Sequence, residues 1–450
     1  MKSLKIILIL VLTVITFSLC GIMVYVMTGG SIFRNDNRQG YANVQLVLEK
    51  EISLDGIDTI SILYGMNNND IYLFESENDD VLIREYSSSE MGEKDLSAIK
   101  VSGNSLEIKG ARRNYSSVGF HLFYFNGGSY NRHYTEVYLP ASYHGELLLE
   151  TASGDIISEL DIKSEKDVSV TSTSGNVEFP SVAADNLSVH TSSGYVRMEK
   201  IDADVDRSVG EISIKTSSGD VDLKELTGRT DIESSSGYLT IGTITGDTQL
   251  RTSSGDINIK ELTGEVKTES SSGYLTIETL TGNAQFKTTS GDMDVQYADG
   301  EVQAVTNSGN VKMPEGNGDR TISTSSGDIM AESTEGIFQI NTQSGDVQIT
   351  VQKGEGSIET ASGDVQLTLE ELAGSLNVNS SSGYVSIRLP AENEFEFMTS
   401  TSSGNIVTFF DSDLTFSSRR NHAQGVHGAN AQSNRIVIQT TSGDVRISKY

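Results

Sequence analysis

From Thr216 onward, apolar residues come in pairs two positions apart with a polar residue between them, and the pairs return every 18 residues. Counting Thr216 as position 1 of a coil, position 6 holds Val221, Leu239, Ile257, Leu275, Met293, Val311, Ile329, Val347 and Val365. Position 8 holds Leu223, Ile241, Ile259, Ile277, Val295, Met313, Ala331, Ile349 and Leu367. Side chains two apart share one face of a strand, so the alternation predicts a short strand with one buried side. A weaker alternation at positions 15 and 17 (Val266; Phe338 and Ile340) predicts a second strand in each coil. Helix is excluded by the two-residue period, by the β-branched content and by the spacing of the glycines.

Two glycine columns punctuate the pattern. One runs without a slip from Gly219 through Gly237, Gly255, Gly273, Gly291, Gly309, Gly327 and Gly345 to Gly363; the other runs from Gly228 to Gly354 at position 13. A fixed period of this size is the mark of a solenoid. The expected fold is all-β, a parallel β-solenoid of 18-residue coils with an N-terminal transmembrane helix, its core built from positions 6, 8 and 17. At ~4.8 Å per coil the strict region spans roughly 40 Å, and right-handed winding is the default for parallel crossovers. A longer period lies on top: residues 216–251 and 252–287 match at 23 of 36 positions, as two-coil units copied by duplication would. Position 5 accordingly alternates Asp220, Tyr238, Asp256, Tyr274, Asp292. Position 18 alternates in sign through Glu233, Arg251, Glu269 and Lys287, which predicts an ion ladder across stacked coils.

Less regular Ser-Gly corners at Gly154, Gly175 and Gly194 and at Gly383, Gly404 and Gly443 extend the array both ways. The expected organisation is a cytoplasmic N-terminus and membrane anchor over 1–33 and a linker over 34–44. An irregular β part capping the solenoid follows over 45–150, then repeats over 151–408, a loop insertion over 409–434 and a terminal coil over 435–450. The anchor rests on the uncharged run from Ile6 to Met27, preceded by Lys2 and Lys5. Such a run covers a hydrocarbon core of ~30 Å, and basic residues before it favour a cytoplasmic start. Arg34 and Arg38 beyond it weaken that bias, and Thr28-Gly29-Gly30-Ser31 is where a cleavage would fall if the segment were a signal peptide. The expected location is thus the cell membrane, single-pass, with the bulk of the chain extracytoplasmic and the membrane itself a partner through residues 6–27.

Composition narrows the partners. With 33 Lys plus Arg against 62 Asp plus Glu, the chain carries a formal charge of -29, which repels a phosphate backbone and argues against nucleic acid. Cys20 is the only cysteine, so no intramolecular disulfide and no cysteine metal site can form.

The Ser-Gly-Asp corner admits three roles. As a turn, it uses Ser and Asp to bond nearby backbone and Gly to supply a positive φ. As a calcium site it lacks the paired glycines of calcium β-rolls, and Tyr replaces Asp in alternate coils. No motif demands a cofactor, and calcium is the one cation the corners could take, at Asp328, Asp346 and Asp364, where the alternation lapses and carboxylates stack directly. As an adhesive tripeptide it fails, since Arg-Gly-Asp does not occur. Asp202, Asp204 and Asp206 resemble the opening of a calcium loop, but Arg207 stands where that loop needs Gly. His422 and His427 have no ligand partner at a recognisable spacing, which fits a polar surface loop. No nucleophile motif or clustered pair of carboxylates points to an enzyme. The stretch 112–138 differs from the rest in its density of rings. Tyr115, Phe120, Phe123, Tyr124, Phe125, Tyr130 and Tyr134, with Tyr138 following, read either as cover for an open end of the solenoid or as an exposed binding patch.

The run Glu136 to Ile156, the serial T-S-S-G-D-V units and the closing IVIQTTSGDVRISKY together resemble the bacterial putative-adhesin family, a domain of unknown function that includes LiaG-type envelope proteins. The resemblance covers roughly residues 45 to 450. It implies an all-β solenoid of the bacterial cell envelope, often membrane-attached, with no established catalytic residues. The expected function is a structural or binding module of adhesin type, without enzymatic activity, with cell-envelope components or other envelope proteins as partners. The alternatives are an accessory or sensor protein of an envelope-stress system and, further off, a carbohydrate-active solenoid.

Overall fold

The computed structural model describes residues 44–65, 67–111, 132–203, 210–429 and 431–449. The apolar run Ile6 to Met27 lies outside them; among the described residues no helix is long and apolar enough to cross a membrane. Strands of successive coils pair in parallel at an offset of 18 residues, Leu239 beside Ile257 and Ile257 beside Leu275. Positions 6, 8 and 17 face inward and are buried, as the alternation predicts: Val221, Leu223 and Ile232 in one coil, Leu239, Ile241 and Leu250 in the next. The core is larger than that pattern shows. In strand Leu239–Thr245 the burial sequence runs in-out-in-out-out-in, so a bend at positions 9 and 10 returns position 11 to the interior. Leu226, Ile244, Leu262 and Leu280 fill this third inward column.

The corner owes its sequence to close stacking. The threonine or serine at position 1 points inward and its hydroxyl accepts the glycine N–H: Thr216 for Gly219 at 2.9 Å, Thr252 for Gly255 at 2.9 Å. A Cβ on Gly273 would lie 1.9 Å from the carbonyl oxygen of Gly255, one coil below. That approach fixes glycine there. From Gly219 to Gly345 the expected positive φ belongs instead to the other corner, where Gly246 has φ 132°; in the Ser-Gly column it returns at Gly383, with φ 144°. At position 5 the side chain bonds the next coil: Asp220 Oδ1 accepts the N–H of Tyr238 and Asp256 Oδ1 that of Tyr274, both at 2.9 Å. From Asp292 the bonds run on without interruption through Asn310, Asp328, Asp346 and Asp364 to Tyr384.

The stacked carboxylates repel at one-coil spacing, by about 1 kcal/mol per pair in water. Asn310 shows that an amide serves the ladder equally, its Oδ1 accepting the Asp328 N–H at 2.9 Å. Asp346→Asn is therefore expected to raise the midpoint of thermal unfolding at low salt, with the gain vanishing in concentrated salt as screening removes the repulsion. A fall at low salt would contradict this account. The ion ladder at position 18 forms only in part. Glu233, Arg251 and Glu269 are in register, and Lys215 reaches Glu233 at 3.7 Å, but the Arg251 guanidinium forks onto Asp231 at 3.0 Å.

One coil breaks the core rule. Position 15 holds Arg320, only 2% exposed, whose guanidinium donates to the carbonyls of Ala298, Gly300, Asn317 and Asp319 at 2.7–3.1 Å. Position 11 of that coil is Gly316, where a Cβ would lie 2.7 Å from the Arg320 Nη2. The small residue makes room for the large one.

Both ends depart from chain order. At the start, Thr59–Tyr64 and Asp70–Glu75 form a coil held between Ser105–Lys109 with His133–Leu139 on the outside and Glu146–Thr151 with Ile156–Ser158 on the inside. Asp80–Ser87 and Ala98–Ser102 then cap the outer coil in antiparallel fashion. At the other end, Arg435–Ser442 lies between 375–382 and Phe395–Ser403, and Val445–Ser448 between Val385–Arg388 and Ile406–Thr408. The last coil in sequence is thus inserted beneath the one that precedes it. The insertion over 409–434 contains Leu414–Phe416 and His422–His427, which pair antiparallel with each other, the latter also with Phe395–Ser403. His427 packs among Phe395, Phe409 and Phe410 and pairs with Asp413 at 2.5 Å, whereas His422 is exposed.

Candidate binding surface

Strand Asp70–Glu75 reads D-I-Y-L-F-E. Ile71 and Leu73 point to the core, so the outward positions fall to Tyr72 and Phe74. Strand His133–Leu139 is parallel to it and turns Tyr134, Glu136 and Tyr138 outward, with Glu136 beside Tyr72 and Tyr138 beside Phe74. Strand Asp80–Ser87 is antiparallel on the far side and adds Arg84 opposite Glu136 and Tyr86 opposite Tyr134. Five half-buried rings therefore share one outer face of three adjacent strands. Tyr86 stacks on Tyr134 with centroids 4.7 Å apart, Phe74 on Tyr138 at 5.2 Å, and Tyr72 meets Tyr134 edge-on at 5.7 Å. Arg84 lies 5.4 Å over the Tyr138 ring and donates to Glu49 at 2.8 Å, while the Tyr138 hydroxyl donates to Glu136 at 2.9 Å. Burial, with Glu136 adding to it, raises both the Tyr86 and the Tyr138 phenol above the ordinary range, so both remain neutral donors.

The inner side of the same strands is polar, which sets this end apart from the aliphatic core of the repeats. Glu85 is fully buried and pairs with His133 Nε2 at 2.6 Å; its other oxygen accepts the Ser97 N–H at 2.9 Å. His133 Nδ1 bonds Asn69 Oδ1, and the Tyr64 hydroxyl bonds Thr135 at 2.6 Å and Ser97 at 2.9 Å. Burial, then the Glu85 charge, drives the Tyr64 phenol far up. This network fixes the two strands that carry Tyr86 and Tyr134 from behind.

At the edge of the face, burial pushes the Asp70 carboxyl up to about 6, although its Oδ1 accepts the Asp155 N–H at 2.9 Å and Arg132 opposes the shift. Burial also raises Asp155, against the Asn176 N–H bonded to it at 2.8 Å. A carboxyl whose folded pKa is raised takes up its proton on the folded side first. Its cost is therefore present above about pH 6 and disappears as pH falls through that value toward the ordinary carboxylate range. Asp70→Asn keeps the acceptor, as Asn176 does for the Tyr195 N–H at 3.2 Å. The substitution is expected to raise stability at neutral pH by roughly 1–2 kcal/mol and to remove the stability gained by wild type on mild acidification. Denaturant titrations across that interval read it directly; parallel wild-type and variant curves would refute it.

Of the residues picked out in the sequence, Tyr134 lies in this face, with Tyr138 beside it. Tyr115, Phe120, Phe123, Tyr124, Phe125 and Tyr130 lie outside the described residues, as do Asp204 and Asp206. Tyr72, Phe74 and Tyr86 escaped notice, although aromatic residues in the polar phase of an alternation are themselves a signal. Asp328, Asp346 and Asp364 are spread along the corner with one oxygen each bound to backbone N–H. Among the described residues no three His, Cys, Asp or Glu side chains converge as metal ligands would.

A parallel β-solenoid with an aromatic face at one end and a polar network behind it defines the class of protein. The chain belongs to the Toastrack DUF4097 family, which it matches over residues 57–259, 242–329 and 317–448. No curated protein matches it. Among solved structures it is similar to a putative cell adhesion protein from Clostridium sporogenes ATCC 15579. The identity is 9%, the match covers 90% of this chain and 100% of that one, and the TM-score is 0.16.

Proposed function

We propose that the chain is a membrane-anchored, extracytoplasmic binding module of adhesin type in the bacterial cell envelope, and that it presents the aromatic face to an envelope partner. The observation that carries this reading is the gathering of Tyr72, Phe74, Tyr86, Tyr134 and Tyr138 on outward positions of a sheet whose other outward positions are mostly polar. Rings on the solvent side of a sheet add nothing to the core and are the usual anchors of interfaces. Anchoring is supported by the apolar run Ile6 to Met27 and the lysines before it. The reading includes no catalytic step: among the described residues the carboxyls with raised pKa, Asp70 and Asp155, are engaged by backbone N–H groups of the corner.

Capture of envelope components by the full chain and by a Tyr72→Ser, Tyr134→Ser, Tyr138→Ser variant tests the face; a tenfold or greater loss of captured material is expected. Equal capture would dismiss the face as the binding surface. Protease treatment of intact cells should degrade residues 44–450, and complete protection would overturn the topology.

A further inference from the structure

The place of the last coil leads beyond a binding face. Residues 435–448 occupy a slot whose two walls, 375–388 and 395–408, both precede them in the chain. The occupant supplies four core side chains, Ile436, Ile438, Val445 and Ile447, each no more than 2% exposed. Its backbone is bonded on both sides: Val385 N–H donates to Asp444 O at 3.0 Å, Leu389 N–H to Ser448 O at 3.1 Å, and Val445 N–H to Asn405 O at 2.9 Å. Its corner is seated glycine on glycine, since a Cβ on Gly443 would lie 1.9 Å from Gly383 O and one on Gly404 would lie 2.1 Å from Gly443 O. Asp444 Oδ1 closes the ladder on the Asn405 N–H at 2.8 Å.

None of these contacts depends on which chain the coil comes from. The hairpin of the insertion docks on Phe395–Ser403 and pairs with no strand of the coil. The covalent link to the coil is the short run after His427, held by Asn434 Nδ2 to Glu394 O at 3.1 Å and Glu396 N–H to Asn434 O at 2.9 Å. Both walls precede the coil in the chain, and until a coil docks their facing edges lack a strand partner. A two-strand element joined by a short hinge and paired on both sides is what copies of a protein exchange at little cost.

We propose that this slot is a complementation site for the C-terminal coil of a second copy of the chain, so that two copies exchange residues 435–448 and close as a reciprocal pair. Insertion within one chain has an effective concentration in the millimolar range. Exchange therefore grows with local concentration and is set when copies fold together, not by mixing folded ones.

Ser382 and Ser442 face each other across the shared edge and are both exposed, which makes them a crosslinking pair. In the full chain with Cys20→Ser, one copy carries Ser382→Cys and a second, differing in tag size, carries Ser442→Cys. The two are unfolded together, refolded at increasing concentration and oxidised. The expected result is a mixed disulfide at least tenfold more abundant than with Ser217→Cys in place of Ser382→Cys, increasing with concentration. Adding Gly443→Val to the donor copy should abolish it. A single chain with both cysteines reports whether the fold and the pair are competent. If that chain crosslinks to itself while the mixed disulfide stays at the Ser217→Cys level at every concentration, the proposal is wrong.

Discussion

Ending the chain at Asn434 is expected to disrupt the C-terminal third of the solenoid, not merely to shorten it. In a linear array, loss of the terminal repeat removes one interface and leaves the rest standing. Here the terminal residues fill an internal slot, so their loss removes two interfaces and separates 375–388 from 395–408. Four buried aliphatic side chains go with them, at about 1.5–3 kcal/mol each, a sum comparable to the whole stability of many domains. Hydrogen exchange should show protection lost from about Val365 through His427, and the Phe395, Phe397 and Phe410 cluster should become accessible to a hydrophobic dye. Exchange unchanged up to Thr408 would mean that the outer coil had simply closed onto 375–388.

Gly273→Ala, like the same change at the other tightly stacked corners, is expected to be severely destabilising. The added methyl would sit 1.9 Å from Gly255 O and 2.6 Å from its carbonyl carbon, both backbone atoms with no side-chain freedom to yield. Relief requires two coils to separate by more than an ångström, and the glycines of the neighbouring coils are stacked just as closely. A cost above about 3 kcal/mol follows, in the range of severe core changes. Ser272→Ala in the same corner should stay within about 0.5 kcal/mol. Midpoints of thermal unfolding distinguish the two; equal shifts would show that the corner stacks less tightly than described.

What the sequence made legible was what repeats. Columns 6 and 8 carry branched aliphatic residues in nearly every coil, and the period identified both the strands and the parallel stack. Features that depend on a partner in space were hidden. The glycine column was visible, but its cause, the carbonyl of the glycine one coil below, is a contact across 18 residues. Position 11 follows an outward pair, so it falls out of phase with positions 6 and 8 until the bend is known. Arg320 looks like a surface residue until Gly316 is seen beside it. The order of the coils at each end was illegible because TTSGDV fits equally well at any level of the stack. The gap between Gly404 and Gly443 announced an insertion without saying where the chain would go afterwards. On the aromatic face, Tyr134 drew notice through its neighbours in sequence, while Tyr72 and Tyr86 come from strands that meet it only through pairing.

The alternation of Asp and Tyr at position 5 also bears on heredity. Because Asp220 and Asp256 each serve the tyrosine one coil on, the smallest segment that can be gained or lost within this alternating stretch without changing any corner's partner is two coils, 36 residues. The match of 216–251 and 252–287 at 23 of 36 positions makes that segment a substrate for unequal recombination, and the stacking makes the product fold. Lineages of this gene can therefore lengthen or shorten in steps of roughly 10 Å. Such steps would alter how far the molecule reaches while leaving both ends, and the face at one of them, untouched.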